Sequence, residues 1–524
     1  MNIYFIGMCI SLVCYIVIGI LISKKVKSAN DFYVAGRNAP VLLIAGSMIA
    51  SYASTGMFMG DAGEYYSGLF SPMTILATMQ VAGYLYGAIF FGRYLRRSEV
   101  YTIPEFFGKR FCSGKMRNLA TITAIITMVV YLLSVIQGIG TLMSTVTGVD
   151  YNICIVLSLL TFLVVCVSSG SSGVLITDTI MFGIFTLTIV VATFFITSKA
   201  GGWYAAAEKL QELGKGLLSG GGNPDYMYPS AAENISWGIV YGIVWMSVCM
   251  VGPWQSSRYL MAKNEHTVIR SSVCSAVGIF VLQLLVGISA VTINLFNPDM
   301  ESPSQVLIWA SMNVLPTFLG VVLLTGVLAA GISSATTFLS LIGSSVANDI
   351  LKNSKNKIRV GQIAMIIVGI IVLVLAVFNP PQIFWLVFFG GAIVASSWMP
   401  VAIASIISKR VTKAGAFCGM LSGFLGCFAM KLFNNFSGIV LPVWLDATIV
   451  GIVLNLITLI IVSALTKVTD EEKEARKKLF VIPESEKSPK DIKVTKNYLK
   501  VAIALGAVVF AVLFFSWVLP ISLH

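Results

Sequence analysis

Apolar runs, each about the ~20 residues that carry a helix across a bilayer core, follow one another along the whole chain with short polar breaks between them. No other feature narrows the fold so far. In hydrocarbon every backbone N–H and C=O must find its partner within the chain, which leaves helices or a closed barrel. Runs of this length, without strand-like alternation, mean helices. They fall roughly at 3–23, 41–68, 72–95, 118–147, 151–168, 173–197, 234–256, 272–294, 312–348, 358–378, 383–408, 414–432, 443–466 and 498–520. The expected fold class is an all-α polytopic membrane protein with about fourteen transmembrane helices.

Composition excludes the main alternatives. Only 11% of residues are charged, against about 25% in soluble domains. The net charge of +12 sits in the loops, without a basic patch interleaved with aromatics, so no nucleic-acid partner is expected. The nine cysteines are scattered and mostly lie inside apolar segments, as Cys154, Cys166 and Cys249 do, with no metal-ligand or disulfide spacing. The first run lacks a basic start and a cleavage site, and KKVK follows rather than precedes it, so it is a span and not a signal peptide.

Lysine and arginine orient the spans. With both termini outside, alternate loops hold Lys24/Lys25/Lys27/Arg37, Arg93 through Arg117, Arg258/Lys263/Arg270, Lys352 through Arg359, Lys409/Arg410/Lys413 and Lys467 through Lys500. Of the 35 basic residues, only Lys199, Lys209, Lys215 and Lys431 fall outside. The positive-inside rule places the rich side in the cytoplasm of a plasma (inner) membrane, and an odd span number would destroy the alternation. The extracellular loop 199–233 carries a helical patch, WYAAAEKLQEL, and a glycine-rich turn; the linker 467–497 reads as a solvated, mixed-charge helix and tether. Neither can hold a catalytic domain. With two histidines, His266 and His524, and no deep acid–base pair, enzyme activity is not expected.

Three polar features inside the apolar runs stand out. Asp178 lies in the sixth span, where an acid is costly and functional by default, or else is an interfacial cap near the span's end. GISSATTFLS in the ninth span packs five hydroxyls into eight residues. At helical spacing Ser333, Thr336, Thr337, Ser340 and Ser344 share one face. Such hydroxyls either bond back to their own helix or supply half of an oxygen cage for a hard cation. The other half needs carbonyls freed by a broken helix. The second span, IAGSMIASYASTGMFMGDAGEYYSG, could be that helix, or its small residues could serve close packing. Asp61 and Glu64 near its end are placed in the extracellular vestibule.

LAAGISSATTFLSLIGSSVANDI resembles the signature span of the sodium:solute symporter family, relatives of the sodium–glucose cotransporters. DFYVAGR, TIPEFFGKRF, the SSGVLITDTI start of the sixth span and SSRYLMAKN match in the same order, over about residues 1–410. The resemblance implies a leucine-transporter-like fold with two inverted five-helix repeats. Residues 1–30 would form a peripheral first helix, 41–197 the first repeat, 199–233 the outer loop, 234–410 the second repeat, 411–466 peripheral helices, 467–497 the linker and 498–524 the last helix. It also implies a sodium site of the Ala50, Ala53 and Ala330 carbonyls with the Ser333 and Ser334 hydroxyls. A second sodium site, found in some members, would use Asp178, Ser333, Thr336 and Thr337. The substrate would meet Ser54, Thr55, Met57, Gln80, Tyr131, Gln137, Trp245 and Cys249. Gly252 and Pro253 stand where members often carry an acid or amide, and Gly56 and Met57 stand where sugar carriers are polar. A sugar is therefore disfavoured, and the similarity leans to the pantothenate and monocarboxylate branch.

The expectation is thus a symporter that imports a small organic solute with sodium as coupling ion and no organic cofactor. A sensor built on the same membrane unit, a passive channel, and a symporter for an amino acid or sugar are the alternatives.

Overall fold

A computed structural model describes residues 3–23, 28–215, 231–378, 382–439 and 441–514. The KKVK cluster, the glycine-rich turn of the outer loop and the end of the last span lie outside the described residues. Polar caps set some of the helix limits. α1 is Ile3–Ser23, and the second span opens with α2, Val41–Tyr52, then breaks before α3, Ala62–Tyr66. α4, Phe70–Gly87, runs on through a π-helical turn to Arg97. Ser113 caps α5, Gly114–Thr147, by accepting from the Met116 N–H, and Gly148 ends it in the left-handed conformation.

α6, Tyr151–Lys199, is nominally one helix of 49 residues. At about 1.5 Å per residue it would be more than twice the bilayer core. Gly170 breaks it at φ 54, ψ −155. A Cβ there would lie 2.6 to 2.8 Å from the Phe32 ring and carbonyl, so no larger residue fits. This is the turn expected between the fifth and sixth spans.

The second half begins with α7, Ala231–Val251, and a separate short helix α8, Pro253–Met261, started by the Gly252–Pro253 pair. α9 is Glu265–Thr292, capped by Asn264. α10, Thr317–Ser345, carries the hydroxyl run. The expected ninth span began too early: Val306–Asn313 is its own helix, stopped before Pro316. α11 (Lys357–Phe378), α12 (Ile383–Ser397), α13 (Met399–Ile407), α14 (Lys413–Ser437) and α15 (Ala447–Leu465) follow. α10 packs against α5 and α6, α7 against α4, and α12 against α5. Among the described residues ten helices are long and apolar enough to cross a membrane, and the bent pair in the second span makes an eleventh. Ile3–Ile18 and Tyr151–Val167 are shorter apolar helices.

The 467–497 segment differs from the expected solvated tether. α16, Asp470–Leu479, starts with a capping box of Thr469 and Glu472. Glu472 and Leu479 are buried. Arg110, at the end of the short helix Ile103–Arg110, donates to the Ser405 and Glu472 carbonyls, and Arg476 donates to the Ile406 carbonyl. Burial lowers the Arg110 pKa to about 10, still charged at neutral pH. Arg97 pairs with Glu265, and Arg270 with Asp491. The last helix, α17, Pro489–Leu513, starts before the expected 498 because Ser488 caps it.

Candidate functional site

The second span is broken in mid-bundle. The axes before and after the break differ by 50°. Ala53 has left the helical region at ψ 67. The Ser54 hydroxyl accepts the Gly56 N–H at 3.0 Å, a side-chain bond that competes with the helical ladder. The Ser54 N–H turns to the Tyr52 carbonyl (2.7 Å), and the Met57 N–H to the Ser54 carbonyl (3.1 Å). The Ala50 and Ala53 carbonyls thereby lose the donors four residues on that a continuous helix would supply. A π-helical stretch, Gly56–Asp61, follows.

Of the hydroxyl run of α10, Ser334 faces the segment that leads into this break. The Ser334 hydroxyl lies 3.2 Å from the Ala330 carbonyl and 3.4 Å from the Ser51 carbonyl. Ala50, Ala53, Ala330 and Ser334 are all fully buried. Ser333 turns the other way and donates to Asp178 Oδ1 at 2.6 Å.

Asp178 is fully buried, which removes the reading of it as an interfacial cap. Its second oxygen accepts from Ser47 (2.6 Å) and from Arg258 Nη2 (2.9 Å). Arg258 also donates to Ser47 Oγ (2.9 Å), the Trp254 carbonyl (2.9 Å) and Thr337 Oγ1 (2.7 Å). The sequence placed Arg258 among loop charges; the structure buries it to 1% exposure. The cause is local. The Gly252–Pro253 break gives α8 its own direction, and that helix is buried along its whole length. Asp178, Ser333 and Thr337 therefore do come together, but around a guanidinium. Thr336 faces its own helix and donates to the Ile332 and Ser333 carbonyls. A void of about 10 Å³, lined by Ser47, Arg258, Thr337 and the unpartnered Ser340, adjoins the pair. That is the threshold for one water.

The expected substrate residues are all buried. Ser54 bonds the Tyr131 hydroxyl at 3.0 Å, and Tyr131 is ringed by Trp254 and Phe338. The Thr55 hydroxyl is unpartnered and its side chain crosses Gly138 and Gly331 at close range. Gln80 accepts from the Tyr52 hydroxyl, and Trp245 stands edge-on to Tyr52 with its indole N–H unpartnered. Cys249 and Met57 are buried as well. Gln137 Oε1 accepts from the Gln382 N–H at 3.3 Å, at the start of α12. Gln80 and Trp245 thus meet at Tyr52, and Ser54 meets Tyr131, while Gln137 joins neither pair and turns to α12.

Sequence reasoning missed Tyr52, Ser47, Trp254, Phe338 and Arg258. Only Arg258 carried a signal: a proline four residues after Cys249 announces a new helix, which can turn a basic residue inward. Asp61 was expected in an open vestibule and is instead 4% exposed, accepting from Gln283 Nε2 at 2.8 Å.

The sequence model of the sodium:solute symporter family matches residues 32–423. The osmoregulated proline transporter OpuE of Bacillus subtilis is 24% identical over 488 residues, covering 89% of this chain and 94% of that protein. The sodium/proline symporter of Escherichia coli is 21% identical over 448 residues, 81% and 87% of the two chains. Among solved structures, a Na+-coupled sialic acid symporter in a substrate-bound outward-open state superposes with TM-score 0.74 at 17% identity, over 90% of this chain and 99% of that one. Mhp1, a nucleobase-cation-symport-1 family transporter in a closed conformation, gives 0.56 at 11%, over 86% and 99%. At these identities the superpositions speak to fold.

Proposed function

Because the chain belongs to the sodium:solute symporter family, a multi-pass family of transporters, we propose that it imports a small organic solute with sodium by alternating access. The units 41–197 and 234–410 would act as inverted five-helix repeats, with both termini outside. The observation that carries this reading is the break at Ala53 opposite Ser334, which offers freed carbonyls and hydroxyl oxygen to a hard cation. The sodium site comprises the Ala50, Ala53 and Ala330 carbonyls with Ser333 and Ser334. Ser333 would swing from Asp178 to join it. The second site, Asp178 with Ser333, Thr336 and Thr337, would take sodium when the Arg258 guanidinium withdraws.

The solute carries a carboxylate, as pantothenate or a monocarboxylate does. No lysine or arginine belongs to the expected pocket, so the amides and half-helix dipole at the break would hold it. A second reading, an amino acid, is favoured by the proline carriers among the relatives. Reconstituted full-length protein decides: solute should accumulate in vesicles against its gradient only when sodium is imposed outside. Equilibration without accumulation would make it a channel, and binding without flux a sensor.

A further inference from the structure

The bundle buries two carboxylates beside the broken second span, and only one has a built-in counter-charge. Asp178 has Arg258. Asp61 has no ion pair among the described residues; its one hydrogen bond is to the neutral amide of Gln283 on α9. An isolated ionised carboxylate inside a membrane protein is costly, so it either carries a proton or holds a cation.

The groups around Asp61 are those a small cation needs. Gln283 gives its Nε2 to the carboxylate, which leaves its Oε1, bonded to the same carbon, as a free acceptor within reach; that oxygen is buried and has no hydrogen bond. Tyr65 lies four residues beyond Asp61, on the same helical face. Its ring lies against Gly287, four residues beyond Gln283, where a Cβ would come within 2.7 Å of the ring. Asp61–Gln283 and Tyr65–Gly287 are therefore successive rungs of one seam between the broken span and α9. The Tyr65 hydroxyl is fully buried and makes no hydrogen bond of good geometry, although Gln283 and Thr74 lie close by. One acid and two buried neutral oxygens thus lie together, and among the described residues no cationic side chain pairs with that acid. Among these residues Asp61 shares no hydrogen-bond partner with Ser334, which turns to the Ser51 and Ala330 carbonyls, or with Asp178, which is held by Ser47, Ser333 and Arg258.

We propose that Asp61, Gln283 Oε1 and the Tyr65 hydroxyl form a further monovalent cation site, loaded by sodium or by a proton in each transport cycle. The idea rests on the symporter reading above and adds a coupled charge to it. A positive charge entering there needs only the carboxylate's own loss of isolation; no resident salt bridge has to break first, in contrast to Asp178.

The test counts ions in the full-length protein. Purified wild type and Asp61→Asn are equilibrated with radioactive sodium and no solute, and proton uptake or release is read in weakly buffered solution. The expected result is one sodium fewer bound by Asp61→Asn, or loss of the wild type's proton exchange; these outcomes name the ion. In vesicles the variant should carry one charge fewer per solute, which at 100 mV lowers maximal accumulation roughly fortyfold, from about 2.3 kcal/mol per charge and about 1.4 per decade. Asp61→Glu, which keeps the charge, should keep the ion count and controls for misfolding. Identical sodium and proton counts in wild type and Asp61→Asn overturn the proposal. So does a cation that binds only when an amine-bearing solute is added, since the solute's ammonium would then be the charge. If wild type shows no sodium-driven uptake, the symporter reading fails, and the binding count still decides Asp61.

Discussion

Replacing Arg258 with methionine tests the centre of the site most directly. Methionine keeps the apolar stem of the side chain but removes the donors to Ser47, Asp178, Thr337 and the Trp254 carbonyl. Asp178, fully buried, would be left as an uncompensated acid. Breaking a buried pair from one side costs about 3–5 kcal/mol, whereas removing both charges can be close to neutral. In sodium-free detergent solution the melting temperature should therefore be highest for wild type, intermediate for Arg258→Met/Asp178→Asn and lowest for Arg258→Met. The double variant should recover most of the single variant's loss. Sodium adds a second signature. With the guanidinium gone, sodium can sit on Asp178, and at a hundredfold excess over its Kd it restores about 2.7 kcal/mol. The sodium-induced rise in melting temperature should thus be larger in Arg258→Met than in wild type, and absent from that comparison once Asp178→Asn is added. Additive losses in the double variant, or equal sodium shifts in all three proteins, would refute the claim that Arg258 stands where a cation would.

Ser334→Ala should insert normally, because an uncharged hydroxyl is lost, yet reduce sodium-driven uptake to background; unchanged sodium dependence in vesicle uptake would remove Ser334 from the cage. Trp245→Ala and Gln137→Ala should each weaken solute affinity, Trp245→Ala by more because its indole N–H is unpartnered at the break; wild-type affinity in both, by competition uptake, would relocate the pocket. Burial first of all pushes the Glu486 carboxyl above the usual range. The folded state then binds more protons than the unfolded one, so docking of 467–497 is fully stabilised below the ordinary glutamate pKa and weakens as pH rises through the folded value. Limited proteolysis of that segment should accelerate over this window in wild type and stay flat in Glu486→Gln; parallel pH profiles would count against it.

The parts of the fold legible in the sequence were those fixed by local chemistry. Apolar length located most spans, and the SSGSSG turn and the broken second span followed from glycine and serine in places where a helix has other bonds to make. Asp178 and the hydroxyls of α10 were visible as costly polar groups in apolar runs, and they do meet. What the sequence could not show was which of them would be satisfied by one another. Thr336 spends its hydroxyl on its own helix, and Arg258 reads as a loop charge until the direction of α8 is known. Asp61 was misplaced for the same reason: its depth depends on how far α9 covers the broken span, and that is a tertiary distance. The docking of α16 was hidden because its partners are backbone carbonyls, which every residue has.

That docking constrains how the molecule can rock. Arg110 ties the short helix Ile103–Arg110 to the Ser405 carbonyl of α13 and to Glu472 of α16, while Arg476 returns to Ile406. Arg97–Glu265, His266–Thr495 and Arg270–Asp491 bind the ends of α4, α9 and α17 into the same plate. A shear plane on this basic face cannot cross the plate without severing several charge-assisted bonds at once. A smaller seam lies where α10 ends, held to α5 and the chain before Ile103 by Asp349 with Arg117 and Thr102, and by Arg117 on the Asn348 carbonyl. One carboxylate there has the position of a clasp: it holds two separate elements to the end of the helix that carries Ser333 and Ser334, so if those hydroxyls hold the ion as proposed, ion release and movement of this face would be mechanically linked.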